Sequence, residues 1–271
     1  MKILAVVVLY NQNLCDTNVY NTLLRNQDHL KVVSVVFDNS PQKQTNEVPK
    51  NLIYIWNNGK NLGLSECYNK AIDYAKRHEC NWILLLDQDT TFPINAWDTY
   101  LQCIEKYPNY FLFAPIHKTN KGRYLSPKNP ILGVSSKSPT YGECSFKQAY
   151  PINSGLLISL SFFIKVGGYN PKIRVDFSDI QFISKARQVI NRFYILNIIC
   201  TQDFSNEISD INKLYNRFKL FCEGGYYFQY RNNNERIIIN YLIFKHTIAL
   251  SIKNKTCLFL KYYITNYLMK L

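Results

Sequence analysis

Short apolar runs alternate with helical patterns over the first ninety residues of the chain. Four runs rich in aliphatic and β-branched residues predict buried strands: Ile3–Leu9, Val32–Phe37, Leu52–Trp56 and Trp82–Leu86. Between these runs, apolar residues at helical spacing predict a helix over Asn18–Asn26 and another that Ser65 caps and that ends near Arg77. This alternation predicts an α/β fold whose mostly parallel sheet is flanked by helices.

Polar side chains follow the predicted strands where each of them ends. Tyr10 follows the first strand, Asp38 the second, and Asp87-Gln88-Asp89 the fourth. Because ligands of such sheets bind beyond the carboxyl ends of the strands, these residues predict a site there. Two carboxylates one residue apart can share a hard divalent cation. The alternative interpretation is a plain turn in which the Asp side chains bond to the backbone.

The pattern loosens after residue 91, where prolines become frequent. A strand is predicted over Leu156–Ser159, a helix from Ser161 to Val166, and a further helix from Asp176 to Arg187. Beyond residue 205 the pattern is mostly helical, with Tyr and Phe between basic residues. We therefore predict a domain of residues 1–205, with a nucleotide-binding half (1–90) and an acceptor-side half (91–205). A basic aromatic helical extension (206–271) follows it.

Composition narrows the class of protein. The 271 residues are 47% hydrophobic and carry a net charge of +13, which excludes a disordered chain and indicates an anionic partner. Eight Cys without a CxxC pair and four dispersed His disfavour a zinc site and fit a reducing compartment. The first apolar run does not predict a signal peptide, because it is too short and no cleavage site follows it.

The late apolar stretch from Ile237 to Ile252 does not predict a membrane span. It contains Asn240, Lys245 and His246, and it is shorter than the ~20 apolar residues that a spanning helix needs. Residues 211–271 contain ten Lys or Arg and two Glu. Interleaved with aromatic residues, this charge predicts contact with an anionic membrane surface, on which long basic side chains can extend to the head groups.

Several segments, in this order, resemble the family 2 inverting glycosyltransferases that have a GT-A fold. They are Val35–Ser40, Asn58–Ser65 with Asn69 and Ile72, and Leu84–Thr90. The Asp-Gln-Asp form, Asn153-Ser154-Gly155 and Gly167-Gly168-Tyr169 look most like the bacterial rhamnosyltransferase-like branch. The resemblance covers about residues 3–190 and extends weakly to Tyr226–Asn232.

The resemblance implies a set of nucleotide-binding residues. Tyr10 and Asp38 would hold the base, since a carboxylate accepts the imide N–H of uracil or thymine. Asn61 and Gly63 would shape the loop beside the nucleotide, and Asp87 would face the ribose and the sugar. Asp89, together with Asp87, would bind Mg or Mn under the diphosphate, and Arg231 is a candidate diphosphate contact.

Asp179 matches the family's general base, which would deprotonate the acceptor hydroxyl. The family usually has an acidic pair where this chain has Ser178-Asp179, and often another acid at Gln181, so Asp176 stays open as an alternative base. Relatives often place a His after the last strand of the sheet. Here Gln202 and Asp203 stand there instead, which implies an altered metal shell.

These residues predict transfer of a sugar, with inversion, to a hydroxyl of a growing bacterial surface glycan such as an O-antigen or capsule. dTDP-rhamnose is the first expectation for the donor; a UDP-hexose (galactose, glucose, galactofuranose or N-acetylhexosamine) is the alternative. The expected acceptor is linked to polyprenyl diphosphate, and the protein is expected in the cytoplasm, peripheral on the inner face of the plasma membrane.

Three other classes were weighed against this prediction. A sugar nucleotidyltransferase would need a Gly-rich loop after the first strand, where Leu9–Asn13 has no Gly. An RNA-binding module is disfavoured because no RNP-like, KH-like or zinc-knuckle pattern is present. An inactive relative that only binds nucleotides or partners stays open, with Ser178 and Gln181 in its favour.

Overall fold

The structure is a computed structural model that describes residues 1–28, 30–45, 48–129, 139–202 and 210–270. Within these residues one sheet of ten strands forms the centre of the fold, with the main order β3-β2-β1-β4-β9-β6-β10-β5. The strands are β1 (Ile3–Leu9), β2 (Val32–Asp38), β3 (Leu52–Trp56), β4 (Trp82–Asp87), β5 (Thr90–Thr91), β6 (Leu112–Lys118), β7 (Tyr124–Ser126), β8 (Gly142–Ser145), β9 (Leu157–Ser159) and β10 (Arg192–Gln202). β7 pairs with β6, and β8 pairs with β10.

Helices cover the sheet and continue beyond its last strand. They are α1 (Asn18–Thr22), α2 (Gly63–Arg77), α3 (Ala96–Lys106), α4 (Leu160–Lys165), α5 (Ser178–Ala186), α6 (Ile211–Tyr226), α7 (Asn233–Lys253) and α8 (Leu258–Tyr262). The chain continues from α8 through a π-helical turn at Tyr263–Tyr267 to a 3-10 turn at Leu268–Lys270. The predicted α/β fold and its helical extension are confirmed.

The parallel strands β3, β2, β1 and β4 bring the predicted site residues to one edge of the sheet. Leu9 of β1 is in register with Asp38 of β2, and Val8 is in register with Asp87 of β4. β6 and β10 are also parallel, whereas β9 runs antiparallel between β4 and β6. The carboxyl ends of β1, β2 and β4 therefore meet at one place.

Both faces of the sheet are buried, which explains why its strands are continuous apolar runs. Alternate residues of β1 face opposite sides: Leu4 and Val6 pack in a core with α2 and α5, whereas Ala5 and Val7 pack in a core with α1 and α3. The strand positions are therefore fixed from two sides.

Two local predictions differ from the structure. The first predicted helix ends at Thr22, because Leu23 leaves helical geometry and its carbonyl accepts a hydrogen bond from Trp97 Nε1 at 2.9 Å. A 3-10 turn follows it. Ser65 is not a cap: α2 begins at Gly63, and the Ser65 hydroxyl donates to the carbonyl of Ile173 instead.

The prolines after residue 91 do not prevent regular structure. α3 buries Trp97, Tyr100 and Ile104, which are spaced by three and four residues and form one helical face. β6 accommodates Pro115 within the sheet. The same periodicity that identified α2 was present here in the sequence.

α6, α7 and α8 form a third core of their own. Phe218, Ile243 and Phe259 are buried in it together with Ile173 and Phe177, which belong to the loop before α5. The predicted boundary between residues 205 and 206 lies in the stretch 203–209, outside the described residues, as does Asp203. Across the described parts of the chain, each helix is too short or too polar to cross a membrane.

Candidate active site

Gln88, the middle residue of the acidic turn, attaches that turn to the end of β1. Its Oε1 accepts a hydrogen bond from the backbone N–H of Tyr10 at 2.8 Å, and its Nε2 donates to the Tyr10 carbonyl at 3.3 Å. The side-chain amide thus pairs with the backbone as another strand would. This leaves Asp87 and Asp89 on either side of a fixed residue.

The carboxylates of Asp87 and Asp89 meet at the side chain of Gln202, the last residue of β10. Gln202 Nε2 donates to Asp89 Oδ1 at 2.9 Å and lies 3.4 Å from Asp87 Oδ2. Gln202 Oε1 is buried and has no hydrogen-bond partner among the described residues. Three strands far apart in sequence, β1, β4 and β10, therefore position one polar cluster.

The electrostatics of this cluster disfavour a second negative charge. Burial, and next the neighbouring Asp89, raise the pKa of Asp87 to about 7, against the lowering effect of the hydrogen bond from Gln202. Asp179 raises this pKa further by a smaller amount, which places it in the same electrostatic neighbourhood. A cation would remove the repulsion between these carboxylates.

The residues present fit a hard divalent cation such as Mg or Mn. Two carboxylates are joined by one amide, and the orientation of an amide side chain is set by its hydrogen bonds alone. A half-turn of the Gln202 amide would bring its partnerless oxygen toward Asp87 and Asp89, giving an all-oxygen donor set. Across the described residues, no group of three His, Cys, Asp or Glu side chains could hold a metal.

Asp179 lies in the first turn of α5, directly after a strained turn. Phe177 has a φ of +68°, a conformation that is unfavourable for a bulky side chain. α6 packs on this turn: a Cβ at Gly224 would lie 2.6 Å from the Asp176 carbonyl oxygen, and the Phe177 and Phe221 rings are 4.6 Å apart. The C-terminal helices therefore hold the loop that presents Asp179.

Ser178 and Gln181, where the family often has acids, each have a hydrogen-bonding role here. Asn153 Nδ2 donates to Ser178 Oγ at 3.0 Å, and the Tyr169 hydroxyl donates to Asn153 Oδ1 at 2.7 Å. Gln181 accepts from the backbone N–H of Gln229 and donates to its carbonyl. These bonds fix the start of α5 without additional carboxylates.

Asp176, the alternative base, is engaged in an ion pair. Its Oδ1 lies 2.9 Å from Arg217 Nη2 of α6, while its Oδ2 is buried and has no partner in the part of the chain that the structure describes. Burial raises the pKa of Asp176, and the guanidinium opposes that effect. Arg217 also lowers the pKa of Asp87, although its charge is the smallest of the influences on that pKa. Sequence reasoning missed Arg217, because it was one of many basic residues in the extension.

Arg231, the predicted diphosphate contact, is paired with Glu235 in this structure. Arg231 Nε donates to Glu235 Oε1 at 2.7 Å, and Glu235 also accepts from the Arg231 backbone N–H and from Ser184 Oγ at 2.8 Å. Burial would raise the pKa of Glu235, but these hydrogen bonds and the positive charge lower it overall. The cluster ties α7 to the far end of α5.

Tyr10 and Asp38 differ in their exposure. The Tyr10 side chain is 46% exposed beside the acidic turn, whereas Asp38 is fully buried. Asp38 accepts hydrogen bonds from the backbone N–H groups of Ser40 and Gln44 and from the Tyr54 hydroxyl. Asp38 therefore stabilises the turn after β2, whereas the Tyr10 ring is accessible to a ligand at this edge of the sheet.

Asn61 and Gly63 form the entrance to α2. Asn61 Oδ1 accepts from the Gly63 N–H at 2.9 Å, and the Asn61 carbonyl accepts from the Arg174 guanidinium. Gly63 has a φ of +79°, and a Cβ there would lie 2.6 Å from the Arg174 carbonyl oxygen. Glycine is needed at this position because the loop leading to Asp179 passes against it.

The matched span of a family model agrees with this geometry. The model of "Glycosyl transferase family 2" matches residues 5–165, more than half of the chain. The chain belongs to glycosyl transferase family 2. The matched span includes Asp87 and Asp89 but ends before Asp179, so the position of Asp179 rests on the structure and on the sequence resemblance.

Curated and solved proteins are consistent with this membership. Over 186 residues the chain is 25% identical to "dTDP-rhamnosyl transferase RfbF" of Shigella flexneri, covering 66% of this chain and 60% of that protein. The structure of S. aureus TarS 1-349 in complex with UDP-GlcNAc aligns with a TM-score of 0.55 at 13% identity, over 90% of this chain and 70% of that one.

A third similar protein is the mannosyltransferase PcManGT from Pyrobaculum calidifontis, in complex with GDP-Man and Mn2+. It aligns with a TM-score of 0.53 at 12% identity, over 90% of this chain and 70% of that one. The identities with both solved structures show the fold alone, which is the GT-A fold of a glycosyltransferase. The chain spans less than two thirds of the length of RfbF, the curated relative.

Proposed function

We propose that this glycosyltransferase transfers a sugar with inversion from a nucleotide-diphosphate donor to a hydroxyl of a growing bacterial surface glycan, and that the donor is dTDP-rhamnose. The observation that carries the reaction is the cluster of Asp87, Asp89 and Gln202 beside the Asp179 turn. The name of the relative from Shigella flexneri supports the donor. The similar structures bound to UDP-GlcNAc and GDP-Man make a UDP-hexose the alternative.

Asp87 and Asp89 would hold Mg or Mn together with the Gln202 amide oxygen. Once bound, such a cation neutralises the charge of the diphosphate leaving group. The exposed Tyr10 ring provides an apolar surface on which the base can stack. Both arginines are paired with an acid, but Arg217 is preferred as the diphosphate contact, because its side chain is 47% exposed against 22% for Arg231 and its charge acts on Asp87.

Asp179 would act as the general base. It takes the proton of the acceptor hydroxyl as that oxygen forms its bond to the anomeric carbon, while the bond from that carbon to the diphosphate oxygen breaks. The two oxygens lie on opposite sides of the carbon, so the configuration inverts. Asp176 is less suited to this role because one of its oxygens is paired with Arg217.

The acceptor in this proposal is attached to polyprenyl diphosphate, and the protein works at the inner face of the bacterial plasma membrane. The support is the basic C-terminal part of the chain, where residues 211–271 contain ten Lys or Arg and two Glu. An anionic lipid carrier would be attracted to such a surface.

Thermal unfolding with dTDP, UDP, GDP and CDP, each with and without Mn, tests the proposal. A nucleotide at 100 times its Kd adds about 2.7 kcal/mol to the free energy of unfolding. A Mn-dependent shift selective for dTDP supports the rhamnosyl donor, and one selective for UDP transfers the proposal to a UDP-hexose. If no nucleotide shifts the midpoint, the chain is an inactive relative and the proposal fails.

A further inference from the structure

The solvent side of α7 carries an apolar ridge. We use this name for Ile237, Tyr241, Phe244 and Ile252, whose side chains are 65%, 53%, 47% and 72% exposed. Their spacing of four, three and eight residues places them on one side of the helix. Large apolar side chains exposed singly are common on protein surfaces, but four of them on one side of a single helix favour an interaction site.

The ridge lies at the margin of the third core, where the Phe244 ring is 6.0 Å from the ring of Tyr263. Ile239, Ile243 and Leu250, on the opposite side of α7, are buried there together with α6 and α8. The π-helical turn after α8 lies alongside α7, since the Tyr267 hydroxyl donates to Asn240 Oδ1 at 2.7 Å. That neighbouring segment also exposes Ile264 and Leu268. α7 thus has one face that is buried in the third core and one apolar face that is largely exposed.

Basic residues accompany the ridge. Residues 233–270 contain six Lys or Arg and one acidic residue. All six basic residues are exposed: Arg236, Lys245, Lys253, Lys255, Lys261 and Lys270. The single acid, Glu235, is paired with Arg231. The region around the ridge is therefore apolar and positively charged at once.

We propose that the apolar ridge of α7 docks this protein onto a bilayer surface rich in anionic phospholipid. The ridge would enter the region between head groups and acyl chains, and the surrounding lysines would contact the lipid phosphates. Charge complementarity selects this occupant, because a second copy of the chain would bring an equally basic surface against the first.

Docking through the ridge would bring the site close to the membrane. The ring of His246, on the inner side of α7, lies 4.6 Å from the ring of Phe221, which lies 4.6 Å from Phe177 in the turn before Asp179. The ridge lies across α7 from His246, about one helix diameter, ~10 Å, away. This consequence rests on the proposed function, but the binding itself does not.

Flotation with vesicles in the absence of nucleotide tests the docking. The full chain is expected to float with vesicles of phosphatidylglycerol and phosphatidylcholine at low salt, and to float much less with phosphatidylcholine alone or at 0.5 M salt, where charges are screened within about 4 Å. The triple variant Ile237→Ser, Tyr241→Ser, Phe244→Ser should lose at least ~10-fold in partitioning. The matched control is Leu30→Ser with Ile94→Ser, which removes two residues that are 88% and 97% exposed elsewhere.

A single-residue measurement covers the case in which the triple variant fails to fold. In Phe244→Trp, tryptophan emission should be quenched by brominated lipid in anionic vesicles beyond the quenching of the parent protein, whereas Ile94→Trp should show no added quenching. Failure of the parent to bind anionic vesicles at low salt would overturn the proposal. Unchanged vesicle binding by a folded triple variant would also overturn it. The same holds if the parent protein forms a dimer that the triple variant cannot form, since the ridge would then bind a second copy of the chain.

The two proposals fail separately. Vesicle binding without any nucleotide-induced thermal shift would refute the proposed function and leave the docking surface intact. A nucleotide-induced shift without vesicle binding would refute the docking surface and leave the sugar-transfer reaction intact.

Discussion

Gln202 Nε2 donates a hydrogen bond to Asp89 Oδ1 at 2.9 Å, although 113 residues separate them along the chain. The bond joins the end of β10 to the acidic turn after β4. When no cation is present, the Gln202 amide N–H group stabilises the charge of the two carboxylates. When a cation is bound, the amide oxygen of the same side chain is available as a ligand. Gln202 is thus the residue through which the metal site is most readily tested.

Gln202→Ala is expected to weaken Mn²⁺ binding by about 10-fold, in line with the loss of one group that supports a metal site. Gln202→His should retain or strengthen binding, because imidazole is a good ligand for transition metals. Titration calorimetry with Mn²⁺ alone measures both. Equal affinity in the parent and in Gln202→Ala would exclude Gln202 from the metal shell.

Asp179→Asn is expected to lower kcat by ~10²–10⁴, the usual contribution of a general base, with little change in the affinity for nucleotide. Asp176→Asn should reduce kcat less, because its main interaction is with Arg217. Steady-state kinetics of both variants with one donor separate them. A larger loss of kcat in Asp176→Asn than in Asp179→Asn would exchange their roles.

Arg217→Ala is expected to raise the Kd for the nucleotide diphosphate at least ~10-fold, through the loss of a charged hydrogen-bond donor. It should also lose about 1–3 kcal/mol of unfolding free energy, because the largely buried Asp176 then loses its charged partner, so the affinity is measured where the variant is folded. Arg231→Ala serves as the comparison. It should keep its affinity for nucleotide but lose about 1–3 kcal/mol of unfolding free energy, because Glu235 then loses its charged partner.

Asp87→Asn is expected to stabilise the protein in the presence of EDTA. The pKa of Asp87 is raised to about 7, so the folded state holds this proton where the unfolded state has released it. The parent therefore loses stability between about pH 4 and pH 7 relative to the variant, by a few kcal/mol at most, and the difference levels off above pH 7. Thermal unfolding across this range measures it, with Asp73→Asn, an exposed acid on α2, as the control. A difference that does not change with pH would contradict the raised pKa.

Gly63→Ala is expected to destabilise the protein by at least ~2 kcal/mol. Two terms add: the left-handed backbone costs about 1–2 kcal/mol for a residue with a Cβ, and the Cβ would meet the Arg174 carbonyl at 2.6 Å. Gly122→Ala isolates the cost of the left-handed backbone. Gly122 has the same φ of +79°, but a Cβ added there would meet no atom of the surrounding chain within 4 Å. Denaturant titration of both variants checks the prediction, and equal losses would show that the approach of Arg174 is without consequence.

Much of the fold was predictable because local patterns specify it. β1, β2 and β4 are apolar runs that must be buried on both faces, and the polar residues that follow them have to emerge at one edge of the sheet. α3 and β6 carried similar signals, but the surrounding prolines obscured them. The resemblance to family 2 rested on these same strand ends, which explains why the family model matches that part of the chain.

The sequence by itself thus determined the α/β fold, the family, and the meeting of Tyr10, Asp38 and Asp87 at one edge. Only the tertiary structure decided what each of them contacts. Asp87 and Asp89 meet Gln202, which is 115 and 113 residues away, and Arg217 meets Asp176, 41 residues away, because α6 packs on the strained turn before Asp179. Local sequence specifies strands and helices through periodicity and burial. Side-chain partners more than forty residues apart are determined by how helices and strands pack together, and the periodicity of the sequence does not predict that packing.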